Sequence, residues 1–201
     1  MKYFLKSITY VLHPLLMPLY GVMIYFLIAP RFTADYVVVS NLLGLLIVTV
    51  LTPIIFIFFL KNLGFVSSIK LVTIADRRIP LLLQIGLYIL TTKTLINIYD
   101  FPELYYFLAG TLFASMLALV SILFRLNVSL HMIGSAMVTT FTIALSIHFS
   151  INQIFLIAGL FLLNGLVATA TLICNEHTLK ELAIGALLGT VPQLGLFLLW
   201  I

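Results

Sequence analysis

Apolar residues along this chain fall into seven long blocks, each closed by a short run of charged, polar or turn-forming positions. The blocks cover about 8–29, 37–60, 79–98, 104–125, 128–147, 153–173 and 179–200. Each approaches the twenty or so residues that a helix needs to cross a hydrocarbon core about 30 Å thick. None alternates apolar and polar positions over the length of a barrel strand, so the pattern predicts helices, which satisfy their own backbone in lipid. The expected fold is an all-α, polytopic transmembrane bundle of six to seven spans, with kinks at Pro14, Pro18 and Pro53 inside the blocks.

Most connections are short, such as 31–36 and 148–152, and no internal repeat is visible, which weighs against an inverted-repeat transporter. The exception is the segment from Lys61 to Arg78, which also holds Lys70, Asp76 and Arg77. Lys2 and Lys6 ahead of the first block resemble the start of a signal peptide. That block is too long for such a peptide's apolar stretch and lacks a small-residue cleavage site, so an uncleaved first span is expected. The 201 residues then form one integral membrane domain, 1–201.

Composition removes other classes. Hydrophobic residues make up 63% and charged ones 8%, against roughly a quarter charged in a soluble domain. A soluble globule is excluded, and no charge run is long enough to hold nucleic acid. Seven spans place the N-terminus and the connections after spans two, four and six on one face. That face carries Lys2, Lys6, Lys61, Lys70, Arg77, Arg78, Arg125 and Lys180, whereas the other carries Arg31 and Lys93. The positive-inside rule puts the richer face in the cytoplasm of a multi-pass cell-membrane protein. Setting aside Lys70, Arg77, Arg78 and Arg125 as functional candidates leaves four basic residues against two. The single cysteine, Cys174, has no internal partner for a disulfide.

A charge at the bilayer centre costs roughly 2.5–3.5 kcal/mol on insertion scales, so the few polar side chains are informative by position. They gather on one face. The connection after span two brings Lys70, Arg77 and Arg78; that after span four brings Arg125, Ser129 and His131; that after span six brings His177 and Glu181. This is the set a phosphoryl-transfer site without metal or other cofactor needs. Cations hold the phosphate oxygens and the charge that builds on them, while a neutral histidine attacks phosphorus. A carboxylate fixes that histidine's tautomer and a second histidine protonates the leaving oxygen. His177 and Glu181, four apart, share a helix face.

These residues resemble the type 2 phosphatidic acid phosphatase superfamily of membrane lipid phosphatases, whose motifs read Lys-x6-Arg-Pro, Pro-Ser-Gly-His and Ser-Arg-x5-His-x3-Asp. The first looks like Lys70-x6-Arg77, with the proline displaced to Pro80; the second resembles Val128-Ser129-Leu130-His131 without its proline and glycine. The third is similar at His177-x3-Glu181, with glutamate for aspartate and Ala170-Thr171 where the family has Ser-Arg. The likeness covers about residues 70–190. It implies Lys70 and Arg77 as phosphate ligands, Ser129 as a hydrogen bonder to phosphate, His131 as the leaving-group acid and His177 as the nucleophile oriented by Glu181. Arg78 or Arg125 is then expected to supply the cation missing at Thr171. The implied substrate is a lipid phosphomonoester or diphosphate reached from the bilayer. The family's sites commonly face away from the cytoplasm, opposite to the face the charge count gives here.

Plainer readings exist for the same residues. Thr178-x-x-Glu181 is a capping box, His131 an interfacial hydrogen bonder, and Lys70, Arg77 and Arg78 a snorkelling cluster. Helical spacing predicts interior stripes at Glu181, Gly185 and Gly189; at His131, Ser135, Thr139 and Thr142; and at Asn164, Ala168, Thr171 and Asn175. Gly110, Ala114 and Ala118 form a plain packing face. His13 and His148 lie away from the motif connections and receive no catalytic role. Cys174, His177 and His131 lack a zinc spacing and sit among cations, so no metal is expected. Two rivals remain: a catalytically silent relative that binds phospholipid headgroups, and a small transporter whose stripes line a path.

Overall fold

The computed structural model describes residues 2–67, 73, 75–174 and 176–200, with side chains from residue 7 onward. The described part is helical throughout, with no strand. The helices are α1 (Lys2–Val11), α2 (Met17–Ile28), α3 (Asp35–Leu45), α4 (Thr52–Asn62), α5 (Arg78–Thr94), α6 (Pro102–Leu123), α7 (Leu130–His148), α8 (Ile154–Ile173) and α9 (Leu179–Phe197). Five stretches are long and apolar enough to cross a bilayer: Ser7–Ile28, Asp35–Asn62, Pro102–Leu123, Leu130–His148 and Ile154–Ile173. The chain is thus an all-helical, multi-pass membrane protein. α5 has 17 residues, about 25 Å of helix, and α9 carries Lys180, Glu181, Pro192 and Gln193.

The first two blocks are not uniform helices. Between α1 and α2 the chain makes a tight turn of 3-10 helix over Pro14–Leu16, where His13 Nδ1 accepts from the Leu15 N–H at 3.3 Å. Pro14 and Pro18 withhold two donors there, so the helix breaks rather than bends. Between α3 and α4 a π turn over Leu46–Leu51 precedes Pro53, and Thr49 and Thr52 donate hydroxyls to the Leu45 and Ile47 carbonyls. The hydroxyls occupy acceptors that the widened turn and the proline disturb.

α7 is the axis of the bundle. Two thirds of its spanning window is buried, against 22–39% for the other spans. Lipid offers no hydrophobic gain for helix association, so close backbone approach and hydrogen bonds carry the packing. A Cβ on Gly185 would stand 2.8 Å from the Ser129 carbonyl oxygen, and one on Gly189 only 2.3 Å from that of Ile133. The predicted small-residue stripe of α9 is thus the face seated on α7. Asn164 donates to Thr139 Oγ1 at 3.0 Å, and Thr139 and Thr142 donate to carbonyls of their own helix. These two predicted stripes therefore tie helices together, with Asn175 outside the described residues. Toward the far end, Phe107 stacks on Phe141 at 4.3 Å, and Gln193 bonds the Phe107 carbonyl at 3.0 Å.

Candidate functional site

Three helix N-termini meet on one face of the bundle. α5 starts after Arg77, α7 after Ser129 and α9 after Thr178. Each brings the positive end of its backbone dipole, which favours an anion.

At α9 the capping box forms as its spacing predicts. Thr178 Oγ1 accepts from the Glu181 N–H at 3.4 Å, and Glu181 Oε2 accepts from the Thr178 N–H at 3.1 Å. The same Oε2 lies 2.9 Å from His177 Nδ1. The structural and chemical readings of Glu181 therefore coexist on one oxygen. A carboxylate only accepts, so His177 carries its hydrogen on Nδ1 and, when neutral, its lone pair on Nε2. The His177 side chain is 5% exposed and that of Glu181 22%.

Arg77 reaches this pair through the connection between α6 and α7. Its guanidinium donates to Asn127 Oδ1 at 3.0 Å, and the Asn127 side chain is close enough to the Glu181 carboxylate to favour its charge. Burial pushes the Arg77 pKa down, while Glu181 and Glu176 pull it back up. Two residues on, Ser129 is fully buried and its hydroxyl caps α7 by accepting from the Met132 N–H at 3.4 Å. Its backbone N–H donates to the Glu181 carbonyl, also at 3.4 Å, fastening α7 to α9 at the site.

His131 sits in the first turn of α7, close enough to feel His177 and Arg77 electrostatically. Its Nε2 lies 3.2 Å from the Thr9 carbonyl oxygen, which only accepts, so that nitrogen bears the hydrogen. The ring meets His13 edge to face, centroids 5.7 Å apart. His13 is therefore not remote from the motif residues as its place within the first block implied. The break at Pro14 carries it to α7, where Met17 and Pro14 pack on Gly134.

Five sequence-predicted residues thus come together: Arg77, Ser129, His131, His177 and Glu181. Lys70 lies outside the described residues. Arg78 and Arg125 are exposed, and among the described residues no side-chain hydrogen bond or ion pair joins either to the cluster. The guanidinium that enters the site is Arg77's. Thr171, at the motif arginine's position, is buried with its hydroxyl on the Val167 and Ala168 carbonyls. Sequence reasoning missed Asn127, the Thr9 carbonyl and His13; an imidazole inside a proline-broken span was the one available signal. Two surface hollows of about 410 and 530 Å³ are lined by 92–98 with Tyr105, and by Phe26, Ala29, Arg31 and neighbours. Neither includes a residue of the cluster.

Compared with protein families, curated proteins and solved structures, the chain matches none of them.

Proposed function

We propose that this chain is a metal-independent membrane lipid phosphate phosphatase that works through a phosphohistidine. The observation that carries the reading is the His177–Glu181 pair, tautomer fixed for attack by Nε2, within electrostatic reach of Arg77 and His131 where three helix N-termini converge. Arg77 and the helix dipoles hold the phosphoryl oxygens and stabilise the charge that spreads over them. The His177 Nε2 lone pair forms the N–P bond as the P–O bond to the lipid breaks. The leaving oxygen takes the Nδ1 proton of a His131 imidazolium whose Nε2–H stays on the Thr9 carbonyl. Neutral His131 then takes a proton from water through Nδ1, and the water oxygen attacks phosphorus and breaks the N–P bond. One water is consumed, and lipid alcohol and phosphate are released. Ser129 sets the start of α7, and with it His131, at the required height.

Seven passes fit the two ends of the bundle. α5 runs from Arg77 on the site face to the neighbourhood of Ile96, which packs in the core with Leu104 and Tyr25. α9 runs from Glu181 to the turn where Trp200 meets His148. The charge count favours the site face in the cytoplasm of a cell-membrane protein, with the substrate entering from the bilayer.

One observation favours the silent, headgroup-binding alternative: threonine stands at position 171. Purified protein in detergent, supplied with dioctanoyl phosphatidate or farnesyl diphosphate, separates the two. Phosphate release by wild type that falls at least about 10³-fold in His177→Ala is expected. Equal rates in the two proteins refute the nucleophile; binding without release by wild type favours the silent form.

A further inference from the structure

We propose that Asn127 is a positioning residue whose amide stands between Arg77 and Glu181 and keeps the guanidinium and the carboxylate from closing into a direct ion pair. The inference rests on the phosphatase reading and deepens it. Arg77 and Glu181 are opposite charges on the starts of two helices, and Glu181 acts on the Arg77 guanidinium electrostatically. A guanidinium fork matches a carboxylate in two parallel hydrogen bonds, so partly buried neighbours of this kind close on each other unless something intervenes. Closure removes Glu181 from His177 and turns Arg77 away from a phosphate.

Asparagine suits this place because one short neutral group both accepts and donates. Its oxygen takes an N–H of Arg77 at 3.0 Å, its side chain is close enough to the Glu181 carboxylate to favour the charged form, and two residues on the Ser129 N–H bonds the Glu181 carbonyl at 3.4 Å. An aspartate would repel Glu181, and a serine has neither the reach nor the second polar atom. The connection holds the amide in place. Arg125 turns the chain with φ 60°, and Val128 and Ser129, directly after Asn127, are fully buried.

The test is a double-mutant cycle on the full chain in detergent, with dioctanoyl phosphatidate as substrate. Asn127→Leu removes the hydrogen bond to Arg77 and the polar amide beside Glu181 at similar size, and is expected to lower kcat/KM about 10- to 100-fold. In an Arg77→Ala background the same change is expected to cost less than about threefold, because no guanidinium is left to fall on Glu181. A residue that merely shaped the connection would cost the same factor in both backgrounds, and that result, or full activity in Asn127→Leu, overturns the proposal. Asn127→Ser, run through the same cycle, covers a failure of the leucine variant to fold. If wild type releases no phosphate, the phosphatase reading fails and the cycle is read on calorimetric binding of inorganic phosphate. The same non-additivity is expected there; additive losses overturn the role of Asn127, and no binding to wild type overturns both.

Discussion

Glu181 holds two partners with one carboxylate oxygen, the Thr178 N–H that begins α9 and the His177 ring that precedes it. The two functions separate by substitution. Thr178→Ala removes the cap and is expected to cost about 1 kcal/mol of stability while phosphate release stays within a few-fold. Glu181→Gln keeps a residue competent for the capping box but removes the charge that, in the phosphatase mechanism we propose, supports the imidazolium-like transition state. It is expected to leave the thermal midpoint nearly unmoved while kcat falls roughly 10- to 100-fold. Thermal unfolding in detergent beside a phosphate-release assay reads both. This pair was legible in the sequence because its members lie within one helical turn. The Arg77–Asn127 bond spans 50 positions and the His131–Thr9 bond 122, and the latter ends on a backbone carbonyl with no residue signature. Neither leaves a spacing to read.

At the level of elements, the site depends on how closely α9 lies on α7. Gly189 has the Ile133 carbonyl where a Cβ would go, whereas Gly195 on the same helix has nothing within 4 Å. Gly189→Ala is expected to lower stability by about 1–3 kcal/mol and Gly195→Ala to be neutral or slightly stabilising, read as thermal midpoints of the two variants. Activity is expected to fall with Gly189→Ala, since moving α9 off α7 stretches the Ser129 N–H to Glu181 carbonyl bond. Four-residue steps of small side chains disclosed this face in the sequence. They did not disclose which helix it meets, and Gly110, of the same appearance on α6, receives the Gln193 amide. The prolines of the first block likewise announced an interruption. That the chain would break into a 3-10 turn and deliver His13 to His131 follows from packing on Gly134, which is a tertiary matter.

The whole molecule carries a polar cluster at each end of α7, about 25 Å apart by helix rise. At the far end Glu103, fully buried, accepts from Arg31 at 2.7 Å and from the Tyr25 hydroxyl at 3.2 Å, with His148 Nε2 at 3.4 Å. Arg31 is 43% exposed and can hydrate alone, whereas Glu103 cannot. Arg31→Ala is therefore expected to cost more, about 2–4 kcal/mol, than Glu103→Gln, and an inverted order in thermal unfolding would show that the carboxylate is not the vulnerable partner. The two ends also settle how orientation is to be measured. Cys174, half-buried at the end of α8, lies three residues before His177 and is the chain's single cysteine. With the site face in the cytoplasm, a membrane-impermeant maleimide is expected to label it in inverted vesicles and not in intact cells, with detergent-solubilised protein as the reactive control and Cys174→Ser as the blank. Labelling in intact cells would place the site outside, where the resembling family commonly has it. The basic residues on that face would then be there for phosphate rather than for topology.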